Sequence, residues 1–138
     1  MQTVTDPRVY AVGECAAHRG VAYGLVAPLF EQGKVCANHL AMHGIGRYTG
    51  SRLSTKLKVT GIELFSAGDF MGGPGTEEIV LSDPLARVYK KLVLKDDKLV
   101  GACMYGDTRH GSDYFQLIKD GASVAARRSG LMFGQIAG

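Results

Sequence analysis

The sequence predicts an α+β fold: an antiparallel sheet with helices packed on one face, preceded by a strand–helix pair of the α/β kind. Three observations predict it. Residues 25–42 repeat apolar side chains at helical spacing, residues 53–105 switch to strand-like alternation broken by turn residues, and a helical pattern returns after Ser112. With 138 residues, the chain has room for one ordinary domain and an appendage.

Taken in order, residues 9–12 form a short apolar run entered from Asp6-Pro7 and closed by Gly13, as expected of a buried parallel strand ending at a binding turn. Val26, Phe30, Gly33, Ala37 and Leu40 then recur on one face, with Leu25 and Leu29 beside them, which predicts an amphipathic helix over residues 25–42. Pro28 suits its first turn, where a missing N–H does no harm, and Gly44 and Gly46 stop it. Residues 44–52 read as a linker, which divides the chain into 1–43, 44–52 and 53–138.

Beyond the linker, Leu53, Thr55, Leu57 and Val59 alternate with Ser54, Lys56, Lys58 and Thr60, the pattern of a half-buried strand. Gly61 breaks it and residues 62–67 supply a second strand. Residues 78–82, 87–95 and 98–105 read as three more, the last two joined through Asp96-Asp97, because Asp tolerates the positive φ of a tight hairpin. Ser112 or Asp113 can cap a helix carrying Tyr114, Phe115, Leu117 and Ile118 as far as Gly121, and a second short helix is expected over 123–129.

Composition excludes several functions. A net charge of +3 with no basic block beyond Lys90-Lys91 and Arg127-Arg128 argues against nucleic acid, and no apolar run approaches the roughly 18 residues of a membrane span. The start has no secretory pattern, which favours the cytoplasm. Cys15, Cys36 and Cys103 are odd in number and far apart, so they fit neither a disulfide framework nor a metal knuckle and read as small, reduced, buried residues.

The first motif carries the chemistry. A strand ending in Gly13-Glu14 lets backbone approach a ligand at Gly13, while the Glu14 carboxylate accepts hydrogen bonds from hydroxyls, as the ribityl chain of FAD requires. The helix that follows offers free N–H groups at Leu25 and Val26 with a partial positive charge, suited to the electron-rich end of a flavin ring. As a five-residue pattern alone, the motif reads equally as a core strand over 9–12 with Glu14 a solvated turn residue. His39 and His43 stand four apart, but without a Glu beside them or a third ligand they read as solvated histidines. The glycine-rich stretch 68–75 lacks the Gly-Lys-Ser/Thr ending of a phosphate loop and reads as a surface loop.

Residues 3–7, Tyr10-Ala11-Val12-Gly13-Glu14, His18-Arg19-Gly20 and residues 25–31 resemble the end of the FAD domain in the large subunit of NAD(P)H-dependent assimilatory nitrite reductases. Residues 53–61, 64–69, 88–94, 99–102 and 105–108 resemble the module that follows it in that family. Glu14 stands where the wider flavin disulfide-reductase superfamily usually has Asp. The resemblance implies a parent oxidoreductase in which electrons pass from NAD(P)H to FAD, and through iron–sulfur centres and sirohaem to nitrite, giving ammonia. It implies FAD contacts at Gly13, Glu14, Leu25 and Val26, with no catalytic or metal-binding residue in this stretch.

The chain therefore reads as an excerpt: residues 1–43 are a remnant of an FAD-binding α/β domain, and 53–138 are a docking module without activity that binds no cofactor alone. Its expected partners are the rest of the flavin domain and a downstream iron–sulfur domain, with a homodimer as a further expectation for the isolated chain. The alternative reading is an interaction or dimerisation module of another flavin reductase, such as a nitrate reductase electron-transfer component or a rubredoxin-reductase-like protein.

Overall fold

The computed structural model describes residues 1–42, 44 and 46–136. They form two compact units, Met1–Leu53 and Ser54–Gly138.

In the first unit, β1 (Ala17–His18) and β2 (Val21–Ala22) make a small antiparallel hairpin. Arg19 and Gly20 at its tip both have positive φ, the geometry whose twist matches the flanking strands. Helix α1 (Val26–Leu40) follows. It ends before Gly44: Ala41 caps it, and Met42 takes the left-handed conformation at φ 62°. The expected strand over residues 9–12 is reduced to one bridge, Tyr10 to Gln2. A buried parallel strand needs neighbours on both edges, and among the described residues of this unit its extended partner is the antiparallel segment 1–3.

The apolar stripe expected to face the core of this unit also points elsewhere. Val26 and Phe30 are each 68% exposed, and the side chains turned inward are Pro28, Gln32 and Cys36, one helical turn apart. Residues 46–51 return to the hairpin region and to α1. Tyr48 is buried edge-on against Tyr23 and His18, and Ser51 binds the Tyr23 and Tyr48 hydroxyls and the Glu31 carboxylate.

The second unit is a five-stranded antiparallel sheet with helices on one face. Its strands are β3 (Ser54–Val59), β4 (Ile62–Gly68), β5 (Glu77–Asp83), β6 (Val88–Lys95) and β7 (Lys98–Tyr105), in the order β3-β4-β7-β6-β5. Asp96 and Asp97 join β6 to β7 with φ of 50° and 56°, the tight turn the sequence calls for. Helix α2 (Gly111–Asp120), a 3-10 turn (Ala125–Arg127) and α3 (Arg128–Leu131) complete the unit. The α2 start differs from expectation: His110, at φ 67°, is the cap, ahead of Ser112 and Asp113. Gly111 sits so close to Phe65 that a Cβ there would lie 2.9 Å from its ring, so the helix has to begin on a glycine.

Tyr114, Leu117 and Ile118 of α2 pack with Phe65, Leu92, Leu94, Leu99, Ala102 and Met104 into one core, closed by Val124, Leu131 and Met132. The Tyr114 hydroxyl donates to the Leu131 carbonyl at 2.7 Å, and burial pushes its ionisation up to about 12. Lys90 lies on this same sheet face but at its end, where its ammonium meets the Asp107 carboxylate at 2.7 Å. On the opposite face, Leu57, Leu64, Tyr105 and Tyr89 align across four strands. Leu57 is 46% exposed, so β3 is not the half-buried strand its alternation suggests. It is an edge strand, and its apolar side lies on the face without helices.

Candidate functional site

The turn after residue 12 is built on Gly13, whose φ of +100° strains any other residue. Two hydrogen bonds hold it. The Gly13 carbonyl accepts from Ala16 N–H at 3.0 Å, and the Gly13 N–H donates to Oε1 of Gln32, inside α1, at 2.9 Å. The turn at the end of the first motif is thereby fastened to the helix that follows it.

Glu14, next along the chain, is solvent-exposed, and its Oε1 lies 3.9 Å from where a Cβ would stand on Gly24. Gly24 immediately precedes the α1 start, where Leu25 is the cap residue in extended conformation and no side chain caps the helix. The first turn carries no acidic residue, and Pro28 brings no N–H. Of the four positions singled out from the sequence, Gly13 is tied to α1 through Gln32, and Glu14 lies near Gly24, the residue before Leu25 and Val26. The arrangement offers a carboxylate acceptor and uncapped helix N–H donors on one side of one short turn, a pairing that suits a ligand with both hydroxyls and electron-rich ring atoms.

One neighbour, Gln32, escaped the sequence reading. Gln32 is 0% exposed, and its Nε2 has no hydrogen-bond partner among the described residues. Its spacing from Gly13, 19 residues, carries no local signal. His39 is not merely solvated, because its Nδ1 is 2.7 Å from the Tyr10 hydroxyl, while His43 lies outside the described residues. The cysteines also differ from the expectation that all three are buried. Cys36 is, but Cys103 is half-buried and Cys15 is exposed on the Gly13 turn, its thiol directed at the Val12 carbonyl. Among the described residues no three His, Cys, Asp or Glu side chains converge as metal ligands, and no helix is long and apolar enough to cross a membrane.

In the second unit the strongest electrostatic feature is the trio Asp107, Arg109 and Lys90. Arg109 binds Asp107 through both its Nε and Nη2, and Lys90 binds it from the sheet, so the carboxyl is held well below the usual carboxylate range. These contacts fasten the β7–α2 connection to β6. The loop 69–76 is likewise anchored, by Thr76 Oγ1 to Gly73 and by Lys91 to the Met71 carbonyl.

A family of flavoprotein reductase modules accounts for this second unit. Residues 54–122 match the rubredoxin NAD+ reductase C-terminal domain, and the chain belongs to that family. It is 49% identical over 119 residues to a nitrite reductase [NAD(P)H] of Bacillus subtilis, covering 86% of this chain and 15% of that protein. It is 50% identical over 109 residues to an assimilatory nitrate reductase electron transfer subunit of the same organism, covering 79% of the chain and 14% of the relative. The nitrite reductase (NADH) large subunit of Escherichia coli is 36% identical over 118 residues. The chain therefore spans about one seventh of the length of the curated relatives it matches. The fold is also that of an NADH:rubredoxin oxidoreductase from Clostridium acetobutylicum, with a TM-score of 0.61 and 24% identity over 84% of this chain and 30% of that one.

Proposed function

We propose that this chain is part of the large subunit of a flavin-dependent NAD(P)H nitrite reductase, in which residues 1–43 complete the FAD-binding domain and 54–138 form a docking module. The observation that carries this reading is the Gly13–Glu14 turn, fastened to Gln32 within α1 and with Glu14 near Gly24, just before the uncapped start of that helix, in a chain alike over most of its length to nitrite reductases. FAD held by these residues would supply the electron-transfer chemistry between NAD(P)H and the iron–sulfur and sirohaem centres expected elsewhere in the longer protein.

The chain's own residues bind and orient. Gly13 lets the backbone approach the cofactor, Glu14 accepts hydrogen bonds from ribityl hydroxyls, and the Leu25 and Val26 N–H groups face the electron-rich end of the ring. The fit is supported by the absence of any side-chain cap or first-turn carboxylate that would compete for those donors. The module 54–138 contributes no reacting group. Its open sheet face, with Leu57, Tyr89 and Tyr105, serves to dock within the larger enzyme and to position the iron–sulfur domain.

The test is made on the full-length protein. Stoichiometric FAD and NAD(P)H-dependent reduction of nitrite to ammonia are expected, with Glu14→Ala weakening FAD binding about tenfold, the effect of one hydrogen bond to a charged acceptor. A full-length protein that binds no flavin, or whose flavin is indifferent to Glu14→Ala, refutes the reading. The comparable identity to a nitrate reductase electron transfer subunit favours a second reading, with the same FAD contacts but a separate nitrate-reducing partner. Oxidation of NAD(P)H by nitrite without any added protein decides for the first.

A further inference from the structure

We infer that Gln32 is the positioning residue of the flavin-facing turn, holding Gly13 and through it Glu14 in register with the start of α1. The inference rests on the flavin reading above and extends it to a residue with no contact to the cofactor assigned to it.

Gln32 is 0% exposed, in the middle of α1, on the helix face that also buries Pro28 and Cys36. A carboxamide in such a place is unusual unless both of its ends are satisfied. Only one is: Oε1 accepts the Gly13 N–H at 2.9 Å, whereas Nε2 has no partner among the described residues. That bond fixes which way the carboxamide points, because the oxygen has to face Gly13.

Gly13 is only half-buried, so its N–H can turn to water when Gln32 is replaced by an apolar side chain of the same shape, such as Met, and the bond adds little net stability. What Gln supplies and Met cannot is direction for the Gly13 peptide. Glycine at φ +100° exchanges readily with other backbone conformations, and a rotated 12–13 peptide turns Glu14 away from Gly24 and the helix start. Gln32 blocks that rotation from inside the helix, while Ala16 N–H holds the Gly13 carbonyl from the other side. A buried amide aimed at a glycine that is otherwise free to rotate is the mark of a site built for geometry.

The experiment uses the full-length flavoprotein with Gln32→Met, Gln32→Glu and Glu14→Ala, reading FAD affinity by flavin fluorescence, Tm, and hydrogen exchange at Gly13. Gln32→Met is expected to weaken FAD about tenfold and to speed Gly13 exchange at least tenfold, with Tm unchanged within a few degrees. Gln32→Glu, which keeps an oxygen facing Gly13, restores most of both. Glu14→Ala weakens FAD without affecting Gly13 exchange. If Gln32→Met speeds Gly13 exchange but leaves FAD affinity intact while Glu14→Ala weakens it, the positioning role is wrong and the flavin reading stands. If Gln32→Met lowers Tm in proportion to its loss of FAD, or fails to fold while Gln32→Glu binds FAD no better than it, Gln32 is structural and the inference falls. If Glu14→Ala leaves FAD unchanged, the flavin reading falls and takes the inference with it.

Discussion

The two units treat their apolar side chains in opposite ways. Residues 54–136 gather Phe65, Leu92, Leu94, Leu99, Met104, Tyr114 and Leu131 into one core between a sheet face and α2, with no large side chain of that face left open at its centre. Residues 1–53 bury Tyr23, Tyr48, an alanine, a cysteine and an amide, and turn Val26, Phe30 and Leu40 outward, the first two lining a groove of ≈ 470 Å³ together with Leu29, Gly33, Lys34 and Ala37. A helix that hides its polar Gln32 and shows its phenylalanine is shaped for a layer these residues do not themselves provide. The difference teaches how each unit uses its apolar residues: the second gathers them into one core, and the first leaves one face of α1 uncovered among the described residues.

Substitutions can break that contrast. Leu92→Ala is expected to cost about 3 kcal/mol in urea unfolding of this chain, because Leu92 is fully buried and its neighbours are strands that do not collapse into the space. Phe30→Ala is expected to change the same transition by under about 0.5 kcal/mol. In the full-length protein Phe30→Ala should become costly; an equal effect in both contexts contradicts the missing-layer account.

Gly101→Ala comes next, at about 2 kcal/mol. A Cβ there would lie 2.1 Å from the Asp69 carbonyl, and both groups belong to backbone that has to move. Gly33→Ala, where nothing lies within 4 Å, should be neutral or slightly stabilising by helix propensity. Thermal melts of the pair measure the difference.

A smaller effect follows pH. Asp107 has a folded-state pKa below its unfolded value, because Arg109 foremost and Lys90 with it bind the ionised form. Its contribution is therefore complete above the ordinary carboxylate range and is lost as pH falls through the lowered folded value. Asp107→Asn should be less stable than the parent chain at pH 7, with the gap narrowing toward pH 3, as read from urea midpoints. A gap that is constant with pH would show that the ion pairs contribute nothing. The smallest change is kinetic: the exposed Cys15 should react with a thiol reagent well before Cys103, whose thiol pKa is raised by burial, and before the buried Cys36.

How much of this was legible in the sequence depended on the range of the interaction. The β6–β7 hairpin was legible because its turn is decided by two adjacent aspartates that tolerate positive φ. The positions Gly13, Glu14, Leu25 and Val26 were picked out as a motif, and of these the structure brings Glu14 near Gly24, the residue before Leu25. The Gly13–Gln32 bond was not, because it joins a turn to the middle of a helix, and a Gln at that spacing looks like any polar surface residue. The Lys90–Asp107 pair depends on β6 register against β7, which alternation alone leaves open. The strand expected over 9–12 and the buried face expected for α1 failed for one shared reason: an apolar pattern tells which side chains can be buried, and not whether any neighbour among the described residues covers them. β3 failed in part for another, since an alternating strand at a sheet edge tells which side is apolar but not whether anything covers it.

The most direct test of the contrast between the units is amide hydrogen exchange, resolved by residue, on this 138-residue chain. The account predicts that amides of β4, β6, β7 and α2 exchange only through global unfolding of their unit, while those of α1 from Val26 to Leu40 exchange at least about 100-fold faster. Equal protection in α1 and the sheet would contradict it, and would make residues 1–53 a self-supporting unit in need of no further layer.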